Sequence, residues 1–193
     1  MQKREFLKGL SLIIGSTAAT HLTGVAQAIP VALAYEPRSD SAESDGQFFS
    51  QAEMQLLKDV CQGVIPATET PGAGDLDIHG FIDNQLVHCH AENDRHKARS
   101  ALEALQREAT RAHDMDFISC SLEQQLALLQ AIDVGETPFH EGNQWDFRFL
   151  KHLVVFGYYT TEVGASEELE FIPVPGGFKG SIPWTPDNRA RFR

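Results

Sequence analysis

The sequence predicts an all-α domain, a small helical bundle of about five helices with a long irregular C-terminal arm. Apolar residues recur at spacings of three and four, the period of an amphipathic helix. Capping boxes, in which a Ser and a Glu or Gln three residues later satisfy each other's amides, stand before two of the apolar runs, at Ser50 and Ser121. The periodicity stops beyond Gly164. These observations divide the chain into a leader (1–28), a flexible lead-in (29–47), a helical domain (48–164) and an arm (165–193).

The first 28 residues have the order of regions of a secretory signal peptide. Basic residues precede an apolar stretch from Leu10 to Ala19, and Ala26 and Ala28 give the small-x-small pattern of a signal peptidase site. The apolar stretch is too short to cross a bilayer, which takes about 20 apolar residues. We therefore expect cleavage before Ile29.

The basic region is similar to a twin-arginine signal, with a lysine in place of the first arginine. The residues that carry this similarity are Lys3, Arg4, Phe6, Leu7 and Lys8. Weak hydrophobicity of the following stretch favours this route, which carries folded proteins, but the lysine leaves the general export route open. Because the leader carries a net charge of +2 and the whole chain −11, the exported part carries −13. That charge excludes nucleic acid and anionic lipid surfaces as expected partners.

The first two helices have clear boundaries in the sequence. The Ser50–Glu53 capping box begins the first helix, and Pro66 stops it. A turn-rich loop follows. The second helix is expected to begin at Asp77, with one apolar face made by Ile78, Phe81, Ile82, Leu86 and Cys89.

Three further helices follow at similar intervals. Asn93 or Asp94 is expected to cap the third helix, and the Ser121–Gln124 capping box begins the fourth. The fifth carries the apolar stripe Trp145, Phe149, Leu153 and Phe156, and Gly164 is expected to be its C-cap. The arm that follows is rich in Pro, Gly and aromatic residues, a composition suited to lying on a surface, including that of another protein.

Histidines and cysteines offer little evidence of a metal or redox site. His88, Cys89 and His90 are consecutive and His79 and His96 lie apart, whereas zinc ligands on a helix are expected three or four residues apart. We expect no metal site. The three cysteines, Cys61, Cys89 and Cys120, contain no CxxC pair, so the chain has no haem-attachment motif. In an oxidising compartment they allow a disulfide and leave at least one thiol over.

The sequence contains no recognisable catalytic motif. A Gly-x-Ser-x-Gly elbow and a Gly-rich phosphate loop are both missing. We therefore predict a non-catalytic protein. Two stretches remain candidates for its function, 65–73, which follows the first helix, and 157–164, at the end of the fifth. The alternative for each is purely local: one ends a helix, and the other packs two tyrosines into the core.

These two stretches resemble the gluconate 2-dehydrogenase subunit 3 family. The resemblance rests on Ile65-Pro66, Thr68-Glu69-Thr70-Pro71-Gly72-Ala73, Phe81-Ile82-Asp83 and Gly157-Tyr158-Tyr159-Thr160-Thr161-Glu162-Val163-Gly164. An aromatic residue and a Pro-Gly pair follow, here Phe171, Pro175 and Gly176. Each motif alone is weak, and the combination is specific. One departure is Thr161, where the family has serine.

The resemblance implies the small subunit of a periplasmic, membrane-associated FAD-dependent sugar or sugar-acid dehydrogenase. Its partners would be a large FAD-containing subunit of the glucose-methanol-choline oxidoreductase type and a multihaem cytochrome c. The small subunit would hold no cofactor and would act in export, maturation and stability of the large one. The alternative is a free-standing periplasmic helical binding protein.

The resemblance also suggests which residues would contact a partner. We expect them in the two motif stretches and the arm, at Pro66, Thr70, Pro71, Gly72, Tyr158, Tyr159, Glu162, Gly164, Phe171, Pro175, Phe178 and Trp184. A disulfide between subunits from one of the three cysteines is a further hypothesis.

Overall fold

The computed structural model describes residues 35–171 and 191–192, and within them the fold is all-α, as predicted. The leader residues and arm residues 172–190 lie outside this described part. Short 3₁₀ turns form at Ser41–Glu43 and Phe117–Ser119, and a π-helical turn at Gly164–Glu168. The two-residue strands β1 (Glu170–Phe171) and β2 (Arg191–Phe192) pair in parallel. The helices are α1 (Gln51–Val64), α2 (Ile78–His88), α3 (Glu92–His113), α4 (Leu122–Val134) and α5 (Glu141–Thr160).

Helix α5 packs against each of the other four helices and most extensively against α3. It contributes Phe147 and Tyr158 to the core, which are among the largest fully buried side chains, together with Phe49, Met54 and Phe117. No helix within the described residues combines the length and apolar character that a bilayer crossing requires.

Both predicted capping boxes form. The Glu53 carboxylate accepts a hydrogen bond from the Ser50 amide at 2.8 Å, and the Gln124 side-chain oxygen accepts one from the Ser121 amide at 2.8 Å. In each pair the serine hydroxyl accepts from the later residue's amide in return. Helix α1 ends at Val64, just before Pro66, as the sequence predicts.

Two predicted helix ends are wrong. Ala91, rather than Asn93 or Asp94, is the N-cap of α3 and makes no side-chain cap bond; Asp94 instead pairs with Lys97 at 2.8 Å inside the first turn. Gly164 does not cap α5, whose cap is Thr161. The Thr161 hydroxyl donates to the Tyr158 carbonyl at 2.7 Å, and this bond closes the helix before the glycine is reached.

The predicted apolar stripe of α5 is only partly the buried face. Leu153 is buried, whereas Trp145 and Phe156 are 59% and 52% exposed. The face turned to the core carries Phe147, Leu150, Val154 and Tyr158 instead. Both sets recur at helical spacing, so the period alone does not decide between them. Half of the expected stripe is therefore exposed apolar surface.

Residues 35–47, expected to belong to a flexible lead-in, lie packed against the domain. Ser41 and Ala42 are buried, and the segment hydrogen-bonds to side chains of α2 and its N-cap. We refer to residues 35–49 as the N-terminal strap.

Helices α2 and α5 approach each other closely at Gly157. A Cβ atom at this position would lie 2.9 Å from the Phe81 ring and 3.0 Å from the Ile78 side chain. The glycine therefore allows the two helices to meet without a side chain between them.

We expect Gly157→Val to lower the free energy of unfolding by about 1–3 kcal/mol, the usual cost of overpacking. Urea denaturation followed by circular dichroism measures it. The control is Val155→Ala on the same helix, 37% exposed, which should change stability by less than about 0.5 kcal/mol. Equal stability of the Gly157→Val variant and the wild type would contradict the close approach.

Candidate functional site

The two motif stretches of the sequence contact each other. The Tyr158 hydroxyl donates to the Pro71 carbonyl at 3.1 Å and lies 3.3 Å from the Thr70 hydroxyl oxygen. Thr70 in turn donates to the carboxylate of Glu168 in the π-helical turn. The turn after α1, the end of α5 and the start of the arm are thus joined by one hydrogen-bonded cluster.

The predicted partner-contacting residues differ in how far they are buried. Tyr158, Gly72 and Gly164 are buried, which supports the local alternative for these positions. A Cβ at Gly164 would lie 2.2 Å from the Tyr158 carbonyl oxygen. Tyr159 and Thr70 are partly buried, and Pro66, Pro71 and Glu162 are exposed. Pro175, Phe178 and Trp184, and the leader residues, lie outside the described residues, and of Phe171 only the backbone is described.

The carboxylate of Asp77 holds the first half of the strap. It accepts hydrogen bonds from the Tyr35 hydroxyl (2.5 Å), the Arg38 amide (2.7 Å), and the Ser41 amide and hydroxyl (both 2.9 Å). Asp77 is 2% exposed and has a left-handed backbone, with φ of 56°. A buried charge is tolerated only when it is well hydrogen-bonded, and here the strap supplies most of the donors.

Asp83 holds the second half of the strap in the same way. Its carboxylate accepts from the amides of Gln47 at 2.6 Å and of Phe48 and Phe49 at 3.0 Å each. These amides precede α1, so one side chain of α2 fixes the entry into the first helix. The sequence motif Phe81-Ile82-Asp83 therefore has a structural role that the residues alone did not reveal.

Asp40, Asp77 and His79 form a compact cluster whose ligand-type atoms lie within 4.8 Å of one another. His79 Nε2 is 3.1 Å from Asp40 and 3.2 Å from Asp77, so this nitrogen carries the proton; it hydrogen-bonds to Asp40, and Asp77 lies close by. The Lys58 ammonium pairs with Asp40. Since Lys58, the imidazole N–H and the donors of the strap already bind the oxygens of both acids, the donor set does not favour a metal ion. The other histidines considered lie elsewhere: His88 contacts Gln47, and His90 packs edge-on against Phe149.

Burial lowers the pKa of His79, and the neighbouring Asp77 and Asp40 oppose this only in part. Its Nδ1 atom is buried without a hydrogen-bond partner, a position that suits a lone pair and not a second N–H. The imidazole is therefore neutral in the folded protein.

An apolar groove of about 580 Å³ lies between α2, α5 and the strap. Ile78 and Phe81 come from α2, Phe156 and Gly157 from α5, and Tyr35 from the strap. The Phe81 ring contacts the rings of Tyr35 and Phe156, with centroids 5.9 Å and 6.2 Å apart. The remaining lining residues are Pro37, Leu76, Gln85, Cys89, Thr160, Thr161 and Glu162.

The groove includes residues of two of the family motifs, although the sequence did not identify it. Phe81 belongs to one motif, and the residues from Gly157 to Glu162 belong to another. The wall made by Tyr35 was missed because the lead-in was expected to be flexible. Tyr35 is held by Asp77, 42 residues further along the chain, so no local pattern signalled this contact.

The cysteines differ in accessibility. Cys61 and Cys120 are buried free thiols, and burial raises the pKa of each. Cys89, expected on the apolar face of α2, is an exposed free thiol at the end of that helix and lines the groove. It lies beyond the buried face because α2 ends at His88 and Cys89 is its C-cap.

Fold and site together define an all-α domain with an apolar surface groove and a buried carboxylate network. Residues 51–176 match the family model for gluconate 2-dehydrogenase subunit 3. The chain therefore belongs to the gluconate 2-dehydrogenase subunit 3 family, which makes it a member of a dehydrogenase-subunit family. No curated protein and no solved structure matches it significantly. The whole strap precedes the matched region.

We expect Asp83→Asn to lower the free energy of unfolding by about 2 kcal/mol, because hydrogen bonds to a charged acceptor contribute about 1.5–3 kcal/mol. The side-chain amide of the variant has only one acceptor oxygen. Its NH₂ group is a donor and would face backbone N–H groups, which are also donors. Urea denaturation measures the change, and limited proteolysis should show earlier cleavage within residues 35–49. Glu103→Gln, on the exposed side of α3, is the control. Unchanged stability and cleavage in the Asp83 variant would refute the anchoring role.

His79 should make stability depend on pH. Its pKa in the fold is lowered, so the unfolded chain takes up a proton that the folded chain does not. This contribution is fully present above the unfolded pKa of about 6.5 and is lost as pH falls below it, at no more than about 1.4 kcal/mol per pH unit. The free energy of unfolding, measured between pH 8 and 5, should fall more steeply for the wild type than for His79→Gln. Parallel curves would argue against a neutral buried imidazole.

Proposed function

We propose that this chain is the non-catalytic small subunit of a periplasmic, membrane-associated FAD-dependent sugar or sugar-acid dehydrogenase. Its role is export, maturation and stabilisation of the flavoprotein subunit that carries out catalysis. The family match over residues 51–176 is the observation that carries this proposal. In this arrangement the large subunit holds FAD and a multihaem cytochrome subunit holds haem c. This chain holds neither cofactor.

The leader supports the export role. A flavoprotein that folds around FAD in the cytoplasm, and lacks a signal of its own, can leave only as a folded complex with a partner that carries one. The residues Lys3, Arg4, Phe6, Leu7 and Lys8 are similar to the signal of the route that accepts folded cargo.

The groove supports the role of a binding subunit. It exposes aromatic surface at Phe156, and exposed apolar patches of this kind mark contact surfaces. Cys89 is the one exposed thiol of the three, so a disulfide between subunits, if present, would use it. Intact mass measurement of the complex without reductant tests that bond.

The export role is tested by expressing the chain together with a candidate flavoprotein large subunit from the same organism. With the wild-type leader, dye-linked dehydrogenase activity should appear in the periplasm. Replacing Arg4 with Lys should leave active flavoprotein in the cytoplasm, because the twin-arginine signal is lost. The control is Arg107→Lys, an exposed position on α3, which should not change the distribution.

Three outcomes count against the proposal. Activity of this chain alone would show a catalytic subunit. Export of active flavoprotein without this chain would remove the export role. A chain that binds no flavoprotein at all would instead be a free-standing periplasmic binding protein.

A further inference from the structure

We propose that the groove between α2, α5 and the strap is the docking surface for the flavoprotein subunit. Its occupant is an apolar segment of that subunit with a lysine or arginine at the end that meets Glu162. This inference rests on the proposed function and names the surface and the chemistry of the contact.

The groove has apolar surface that nothing within the described part of the chain covers. Phe156 is 52% exposed although it lies beside the Phe81 ring, and its neighbour Val155 is 37% exposed. An aromatic side chain at the centre of a concave apolar surface is the usual anchor of a protein interface. Burying it would release the water that now contacts it.

The polar atoms of the groove do not suit a sugar. Thr160 donates its hydroxyl to the Gly157 carbonyl at 2.8 Å, and Thr161 donates to the Tyr158 carbonyl at 2.7 Å. A sugar site needs several side chains that offer hydrogen bonds to hydroxyl groups, whereas these two hydroxyl protons already serve the end of α5. The groove therefore suits an apolar chain segment better than the substrate of the complex.

The charge of the groove predicts the residue type at one end of the partner segment. The net charge of this chain disfavours a second copy of it as the occupant of the groove. Glu162 is exposed and is the one charged side chain among the described residues that line the groove. A basic residue on the partner would form an ion pair there that guides association. A second copy would bring together two chains that each carry a net charge of −11, which repel each other.

The course of the chain also favours this face. The strap enters the groove at Tyr35, only a few residues after the predicted end of the leader, and the chain leaves it at Glu162 towards the arm. A partner seated in the groove therefore lies next to both ends of the helical domain. The arm begins next to this surface, at the π-helical turn Gly164–Glu168.

The first experiment compares two exposed aromatic residues on one helix. Phe156→Ser should weaken binding of the co-expressed, purified flavoprotein by at least about tenfold, the equivalent of about 1.4 kcal/mol. Trp145→Ser is the matched control: Trp145 is 59% exposed, lies outside the groove, and is about 16 Å away along α5 at 1.5 Å per residue. It should bind within about twofold of the wild type. Thermal unfolding confirms that both variants fold.

The second experiment uses Cys89 as a reporter, because it lines the groove and is the one exposed thiol of the three. A maleimide reagent should label it rapidly in the isolated chain and at least about tenfold more slowly in the complex. As a control, Ala127→Cys in a Cys89→Ala background places a thiol on the exposed side of α4, where labelling should change little on binding. Glu162→Lys should weaken the complex and make the association rate less dependent on salt.

The outcomes separate this inference from the proposed function. If the wild type binds no flavoprotein, the proposed function fails. If it binds, but Phe156→Ser binds equally well and Cys89 stays reactive, the groove is not the docking surface and the proposed function stands. If the isolated wild type is a dimer that Phe156→Ser dissociates, a second copy occupies the groove and the inference is overturned.

Discussion

The buried carboxylate of Asp77 is the interaction on which the arrangement of the N-terminal half depends. It accepts hydrogen bonds from Tyr35, Arg38 and Ser41, three positions of a segment without regular structure apart from one 3₁₀ turn. Removing these donors would leave a charge buried without compensation, at a cost of several kcal/mol. The strap is thus part of the fold, and its position follows from the need to satisfy one acid.

Helix α2 connects the hydrogen bonds that hold the strap to the walls of the groove. One side of α2 and its N-cap carries Asp77 and Asp83, which hold the strap, and the other carries Ile78 and Phe81, which meet Gly157 of α5. The helix therefore fixes both walls of the groove at once. A change that frees the strap removes Tyr35 from the groove without altering the contact between the helices.

The sequence was informative where structure is decided locally. A capping box involves side chains three residues apart, so Ser50 and Ser121 predict their helix starts correctly. The strap was not predictable in this way, because Asp77 meets Tyr35 and Ser41 across 42 and 36 residues, and its partners include backbone amides that have no sequence signature. The buried face of α5 was ambiguous because aromatic residues at helical spacing occur on two of its sides. Tertiary packing, which selects Phe147 over Trp145, decides between them.

The family motif at residues 157–164 stabilises the fold of this chain through its central residue, Tyr158. Tyr158 is 1% exposed and joins the turn at Pro71 to the end of α5. What it does is hold the end of α5 in place, where Phe156 and Glu162 stand beside the strap. A motif can therefore be required for assembly although its central residue is buried, because it positions the neighbours that are exposed. The strap adds Tyr35 and Pro37 to this surface, and both precede the family match, so residues outside the matched region help to form the groove.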